Sequence, residues 1–241
     1  MCMLCQQKSG LVSRRTLGLF AMSSAALLLT GSAHAKEKRA PPKPENVLSP
    51  EAALKRLLKG NERYVEGVMQ RHDFKREREA LVGGQNPYAA ILSCADSRIA
   101  PEYAFDSSRG DLFVCRVAGN FAADETVASM EYAVAVLNTP LILVLGHESC
   151  GAVDAAIKSI KDDKPLPGHL PSLVQAIAPA VKAVSSQGGD VLNNAIRQNV
   201  IDNVAKLKSS SPILSAAVND KKIQVAGGIY RLNSGRVELV G

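Results

Sequence analysis

Two short stretches of the chain hold most of its reactive side chains. Cys94-Ala95-Asp96-Ser97-Arg98 carries a thiol, a carboxylate and a guanidinium within five positions, and His147-Glu148-Ser149-Cys150-Gly151 adds an imidazole and a second thiol. Two thiolates and one imidazole form a soft donor set suited to zinc. Cys94, His147 and Cys150 would fill three of four tetrahedral positions, leaving one for water, as chemistry on a small molecule requires. A lone cysteine is often an inert buried hydrophobe, so the metal reading depends on all three converging. Asp96 and Arg98, two apart in a tight loop, can form a bidentate pair. Beside a metal, Asp96 has two roles open to it: a fourth ligand that closes the site, or an acceptor that orients the reacting water. Arg98 would decide between them by holding the carboxylate away. Two other zinc patterns fail: position 151 is Gly rather than the second His of H-E-x-x-H, and the deaminase pairing of His-x-Glu with Cys-x-x-Cys is missing.

These clusters need a scaffold that brings them to one place. Short apolar runs at Tyr88–Ser93, Leu112–Val117, Leu141–Leu145 and Ile223–Tyr230 read as buried strands, and Arg236–Val240 reads as an edge strand after the Asn233-Ser234-Gly235 turn. Helical spacing marks Glu51–Glu66, Glu125–Leu137, Ala152–Ile160, Pro171–Ser186 and Val191–Ser209, with a loop at Asp162–Gly168. Alternating strands and helices predict an α/β fold: four parallel strands plus an antiparallel edge strand, flanked by helices, with an N-terminal helical arm. Sites in such sheets form beyond the carboxyl ends of the strands. Cys94 follows the first strand and His147 the third, so both clusters should meet at one end of the sheet.

The chain has 241 residues, 46% of them hydrophobic, with no Trp, so small aliphatic side chains must fill its core. Its formal charge of +6 owes three charges to Lys8, Arg14 and Arg15, in a segment with no acid. No basic stripe with interleaved aromatics supports nucleic-acid binding. Residues 1–35 read as a signal peptide, with a basic start, an apolar stretch from Leu17 to Thr30, and Ala33-His34-Ala35 for cleavage. The apolar run is too short for a stable membrane anchor. Ser13-Arg14-Arg15-Thr16-Leu17 is similar to a twin-arginine signal, which predicts that the twin-arginine export machinery delivers a folded chain to the periplasm. The Cys2-x-x-Cys5 spacing falls in the segment to be removed. Residues 36–48, charged and Pro-rich, read as a flexible linker, and the folded domain is expected at 49–241, opening on Ser49 as a helix cap and Pro50.

From about Glu51 to Val240 the chain resembles the β-class carbonic anhydrases. The resemblance rests on Cys-x-Asp-x-Arg at Cys94–Arg98 and His-x-x-Cys-Gly at His147–Gly151, on Gly110–Val114 and Arg116–Asn120 between them, and on Glu131–Val134. It implies one zinc ion per subunit on Cys94, His147 and Cys150, with an Asp96–Arg98 dyad, catalysing reversible hydration of carbon dioxide to bicarbonate and a proton. It also implies a homodimer or higher assembly, with the N-terminal helix on a neighbouring subunit. Gln85 resembles a glutamine that hydrogen-bonds bicarbonate, and backbone N–H groups near Gly151 could stabilise developing negative charge. Phe113 and Tyr132 are candidates for the pocket wall. Glu148-Ser149 departs from the more familiar pair inside the second signature. A zinc hydrolase of carbon disulfide or carbonyl sulfide, a non-catalytic zinc protein, and a redox role for the cysteines stay open.

Overall fold

The computed structural model describes residues 48–209 and 211–241. The expected signal peptide at 1–35 and nearly all of the expected linker lie outside these residues. No helix among the described residues is long and apolar enough to cross a membrane.

The sheet has five strands in the order β2-β1-β3-β4-β5. They are β1 (Ala89–Ser93), β2 (Leu112–Arg116), β3 (Leu141–His147), β4 (Gln224–Tyr230) and β5 (Val237–Val240). The first four run parallel, and β5 pairs antiparallel with β4, as the sequence predicts. β1 and β3 are buried along their whole length, which explains why both read as unbroken apolar runs rather than alternating ones. Because side chains alternate across a strand, Ala90, Leu92, Ile142 and Val144 enter one core while Ala89, Ile91, Leu141, Leu143 and Leu145 enter the other.

α1 (Pro50–Val65) begins as the sequence suggests: the Ser49 side chain accepts a hydrogen bond from the Ala52 N–H, and Pro50 opens the first turn. One face of α1 packs on its own chain. A Cβ at Gly60 would stand 1.9 Å from the Phe105 carbonyl oxygen, so only glycine allows this approach. Buried Asn61 donates to the Ala104 and Gly235 carbonyls (2.9 and 2.8 Å) and accepts from the Val237 N–H (2.8 Å), tying α1 to the turn before β5.

α4 (Asp124–Ala135), α5 (Gly151–Lys161), α6 (Leu170–Val184) and α7 (Val191–Ser209) fall close to their expected positions. Three further helices do not follow from the sequence reading: α2 (Phe74–Ala80), α3 (Pro101–Ala104) and α8 (Pro212–Asn219). α2 buries none of its residues and α3 has only four, so neither shows an apolar period. α8 did leave a signal: Ser211 caps it by accepting from the Leu214 N–H, and Pro212 starts its first turn.

Candidate metal centre

Three elements end at one point. Cys94 is the first residue beyond β1, His147 is the last residue of β3, and Cys150 caps the amino end of α5. All three are buried, and their donor atoms lie within 4.8 Å of one another. Among the described residues this is the one such cluster. The sulfurs are 4.0 Å apart, about twice a disulfide bond, and both cysteines are free. Two thiolates on a tetrahedral zinc with ~2.3 Å bonds stand about 3.8 Å apart, close to what is seen.

His147 supplies the sharper test. Its Nδ1 donates to the Glu148 carbonyl (2.8 Å), a tautomer assigned from that contact, which leaves the Nε2 lone pair free. Nε2 is buried and has no hydrogen-bond partner. An orphaned acceptor in the core is costly unless something fills it, and a cation between the two sulfurs would do so.

The thiols already favour a negative charge. Cys94 is lowered to about 4, chiefly by the hydrogen bond from Cys150 and, against burial, by His147 and the Gly119 N–H. Cys150 moves far upward because of the Cys94 sulfur beside it and because of burial. Without metal the pair therefore shares one proton. The Ala152 and Val153 N–H groups at the start of α5 also face the Cys150 sulfur.

Asp96 lies outside the mutually close donors. Arg98 holds it through Nε to Oδ1 (2.9 Å) and Nη2 to Oδ2 (2.7 Å), and the Arg98 backbone N–H adds a bond to Oδ1 (2.9 Å). The guanidinium keeps this carboxyl well below the usual carboxylate range. Oδ2 still lies 3.8 Å from His147 Nε2, at the edge of the cluster. Arg98 also reaches the Ser149 carbonyl (3.3 Å), linking the two signature loops.

Other expected residues fall elsewhere. Gln85 lies apart from the three donors along the chain. It sits in an exposed loop before the amino end of β1, whereas Cys94 follows the carboxyl end of that strand. Gly151 is the first residue of α5, and a Cβ there would meet nothing within 4 Å, so packing does not demand glycine. Phe113 and Tyr132 face each other, ring centroids 6.2 Å apart, at the β2 edge of the sheet. The unusual Glu148 binds Arg231 Nη1 (2.9 Å) and the Leu232 N–H (3.0 Å), so it secures the turn after β4.

Arg116 was missed. Its guanidinium binds the carbonyls of Cys94 (3.0 Å), Asp96 (2.7 Å) and Ile99 (2.8 Å), shaping the loop that carries Asp96 and Arg98. Its place at the head of the Arg116–Asn120 stretch that carries the family resemblance is the sequence clue to it.

Comparison with known proteins settles the family. The sequence model of the carbonic anhydrase family matches residues 89–237, spanning both signatures. Carbonic anhydrase 2 of Mycobacterium tuberculosis is 40% identical over 192 residues, covering 79% of this chain and 93% of the relative. The chain belongs to the β-class carbonic anhydrases. The solved β-carbonic anhydrase CcaA shares the fold with a TM-score of 0.60 at 27% identity, covering 78% of this chain and 98% of that one. Two tetrameric β-carbonic anhydrases from Sordaria macrospora give a TM-score of 0.60 at 24% identity, over 76% of this chain and 91% of theirs. The enzyme is thus a carbonic anhydrase with a zinc-compatible Cys-His-Cys centre. The names of these relatives agree with carbon dioxide hydration, the first of the readings left open by the sequence.

Proposed function

We propose that Cys94, His147 and Cys150 hold one zinc ion per chain and that Asp96, fixed by Arg98, orients the water that attacks carbon dioxide. The observation that carries this reading is the buried, unpartnered Nε2 of His147 beside two sulfurs 4.0 Å apart. When bound, zinc supplies Lewis-acid activation of water near neutral pH. The residues of the chain do the rest. Asp96 remains ionised beside Arg98, so it can accept a proton-bearing hydrogen bond and never donates one. With both its oxygens engaged by Arg98, it is the orienting acceptor rather than a fourth ligand. Half-exposed Arg98 marks the side open to solvent, where carbon dioxide enters and bicarbonate and the proton leave.

Replacing Arg98 by Met tests these roles. Zinc should stay near one per chain while hydration falls by about 10²-fold or more, as the freed carboxylate turns toward the metal. Unchanged hydration in Arg98→Met would end the assignment.

We propose in addition that residues 1–35 take the enzyme to the periplasm by the twin-arginine route, a reading supported by Arg14-Arg15, the apolar run and Ala33-His34-Ala35. The Arg14→Lys, Arg15→Lys double variant should leave zinc-loaded enzyme in the cytoplasm; normal export would refute this. Assembly as a dimer or larger is supported by the tetrameric Sordaria proteins. Light scattering that gives a monomer at micromolar concentration would refute it.

A further inference from the structure

The buried face of α7 breaks a packing rule. Beside Ala195, Ile196, Val200 and Leu207 it carries Asn199 and Asn203, which are 2% and 6% exposed. Asparagine is a mediocre helix former, and a buried amide costs stability unless its donors and acceptor are all used. Here the two amides bind each other and one target, the loop between β2 and α4. Asn199 Nδ2 donates to the Gly119 carbonyl (2.8 Å). Asn203 Nδ2 donates to the Asn199 carbonyl and Oδ1 (2.7 and 3.1 Å), and Asn203 Oδ1 accepts from the Ala122 N–H (2.7 Å). One turn further on, Lys206 Nζ donates to the Ala122 carbonyl (2.5 Å).

The loop they grip reaches the metal centre. The Gly119 N–H points at the Cys94 sulfur, 3.3 Å away. To present it, Gly119 takes φ +87 and Asn120 takes φ 43, two successive left-handed residues. A Cβ on Gly119 would come within 2.6 Å of Ile177 Cδ1, and the positive φ itself favours glycine there. The carbonyl held by Asn199 and the N–H held on the sulfur belong to the same residue.

We propose that Asn199 and Asn203 are positioning residues of the metal centre: through Gly119 they hold an N–H on the Cys94 sulfur and so set how tightly that sulfur binds zinc and how much charge it donates. The proposal rests on the zinc reading above. An N–H bond to a thiolate withdraws electron density from sulfur, and a fixed loop keeps the sulfur where the other two donors need it. Groups that orient a ligand in this way typically change metal affinity by about 10- to 100-fold.

The test compares wild type with Asn199→Leu, which keeps size but removes both amide groups, and with Asn203→Asp, which keeps the acceptor for Ala122 but loses the donors. Lys206→Met is the control, since it loosens the same loop without touching Gly119. Zinc affinity is read by chelator competition at one pH, and sulfur donation by the sulfur-to-metal charge-transfer band of the cobalt(II)-substituted protein. Asn199→Leu should bind zinc about 10-fold more weakly, with the band moved to lower energy as sulfur grows richer in electrons. Asn203→Asp should shift both in the same direction and by less, and serves alone if Asn199→Leu does not fold. Lys206→Met should lower the melting temperature and leave the band in place. A purely structural role predicts lower melting temperatures with affinity and band unmoved in both Asn variants, and that result would overturn the proposal. Wild type that takes up no zinc would instead defeat the zinc reading beneath it.

Discussion

Two aspartate–arginine pairs in this molecule look alike and do different work. Asp106 is wholly buried: Oδ2 accepts from Arg63 Nε, Oδ1 accepts from the Gln70 N–H (3.0 Å), and His72 Nε2 lies 3.8 Å from Oδ1. Its partner stands 43 residues away on α1, so the pair ties that helix to the core. Asp96 pairs with an arginine two residues away, keeps 17% of its side chain exposed, and has an unpartnered histidine nitrogen 3.8 Å from its free edge. The first pair closes on itself. The second reaches only the neighbouring signature loop, through the Ser149 carbonyl, and faces the unpartnered His147 nitrogen. The lesson is that an aspartate–arginine contact alone does not separate structural pairs from catalytic ones; the unsatisfied neighbour does.

The comparison breaks or stands on paired substitutions. Asp96→Asn should lower carbon dioxide hydration by about 10²- to 10⁴-fold while zinc content stays near wild type. Asp106→Asn should do the opposite, costing about 1–3 kcal/mol of stability because it disrupts a buried carboxylate that accepts from Arg63 and from the Gln70 N–H, with activity per folded chain unchanged. Urea unfolding and hydration assays on both variants decide this. Loss of activity in a stable Asp106→Asn protein would erase the distinction.

A smaller effect sharpens it. Folding lowers the pKa of Asp96 through Arg98, so its contribution to stability is present above its unfolded value of about 3.9 and disappears as pH falls through the folded one. The stability gap between wild type and Asp96→Asn, of order 1 kcal/mol for so exposed a pair, should be constant from about pH 5 upward and close in strong acid. A gap that widened on acidification would contradict the sign. Smallest is Tyr64→Phe, which removes a 3.1 Å hydroxyl contact with Tyr230, whose own pKa burial pushes up to about 12. It should cost about 1 kcal/mol at the α1 side and leave hydration alone.

The parallel sheet was readable because β1 and β3 are continuous apolar runs, and Cys94, His147 and Cys150 because strand direction puts both signatures at one end. The same direction argument, applied to Gln85, would have placed it at the far end. The α1 contacts were hidden since Gly60 and Asn61 act on residues some 43 to 176 positions away. Arg116, Asn199 and Asn203 escaped for that reason too: each is polar, ordinary by local pattern, and defined by partners on other elements. α2 was invisible because Lys75 to Glu79 presents no apolar face, whereas the Ser-Pro start of α8 was a usable sign.

The most direct test of the central claim is stopped-flow carbon dioxide hydration by the purified enzyme before chelation, after removal of zinc, and after its return, with zinc counted on each sample. The account predicts activity lost with the metal and restored in proportion to zinc, up to one ion per chain. Hydration that survives in metal-free protein, or one zinc per chain without hydration, would contradict it.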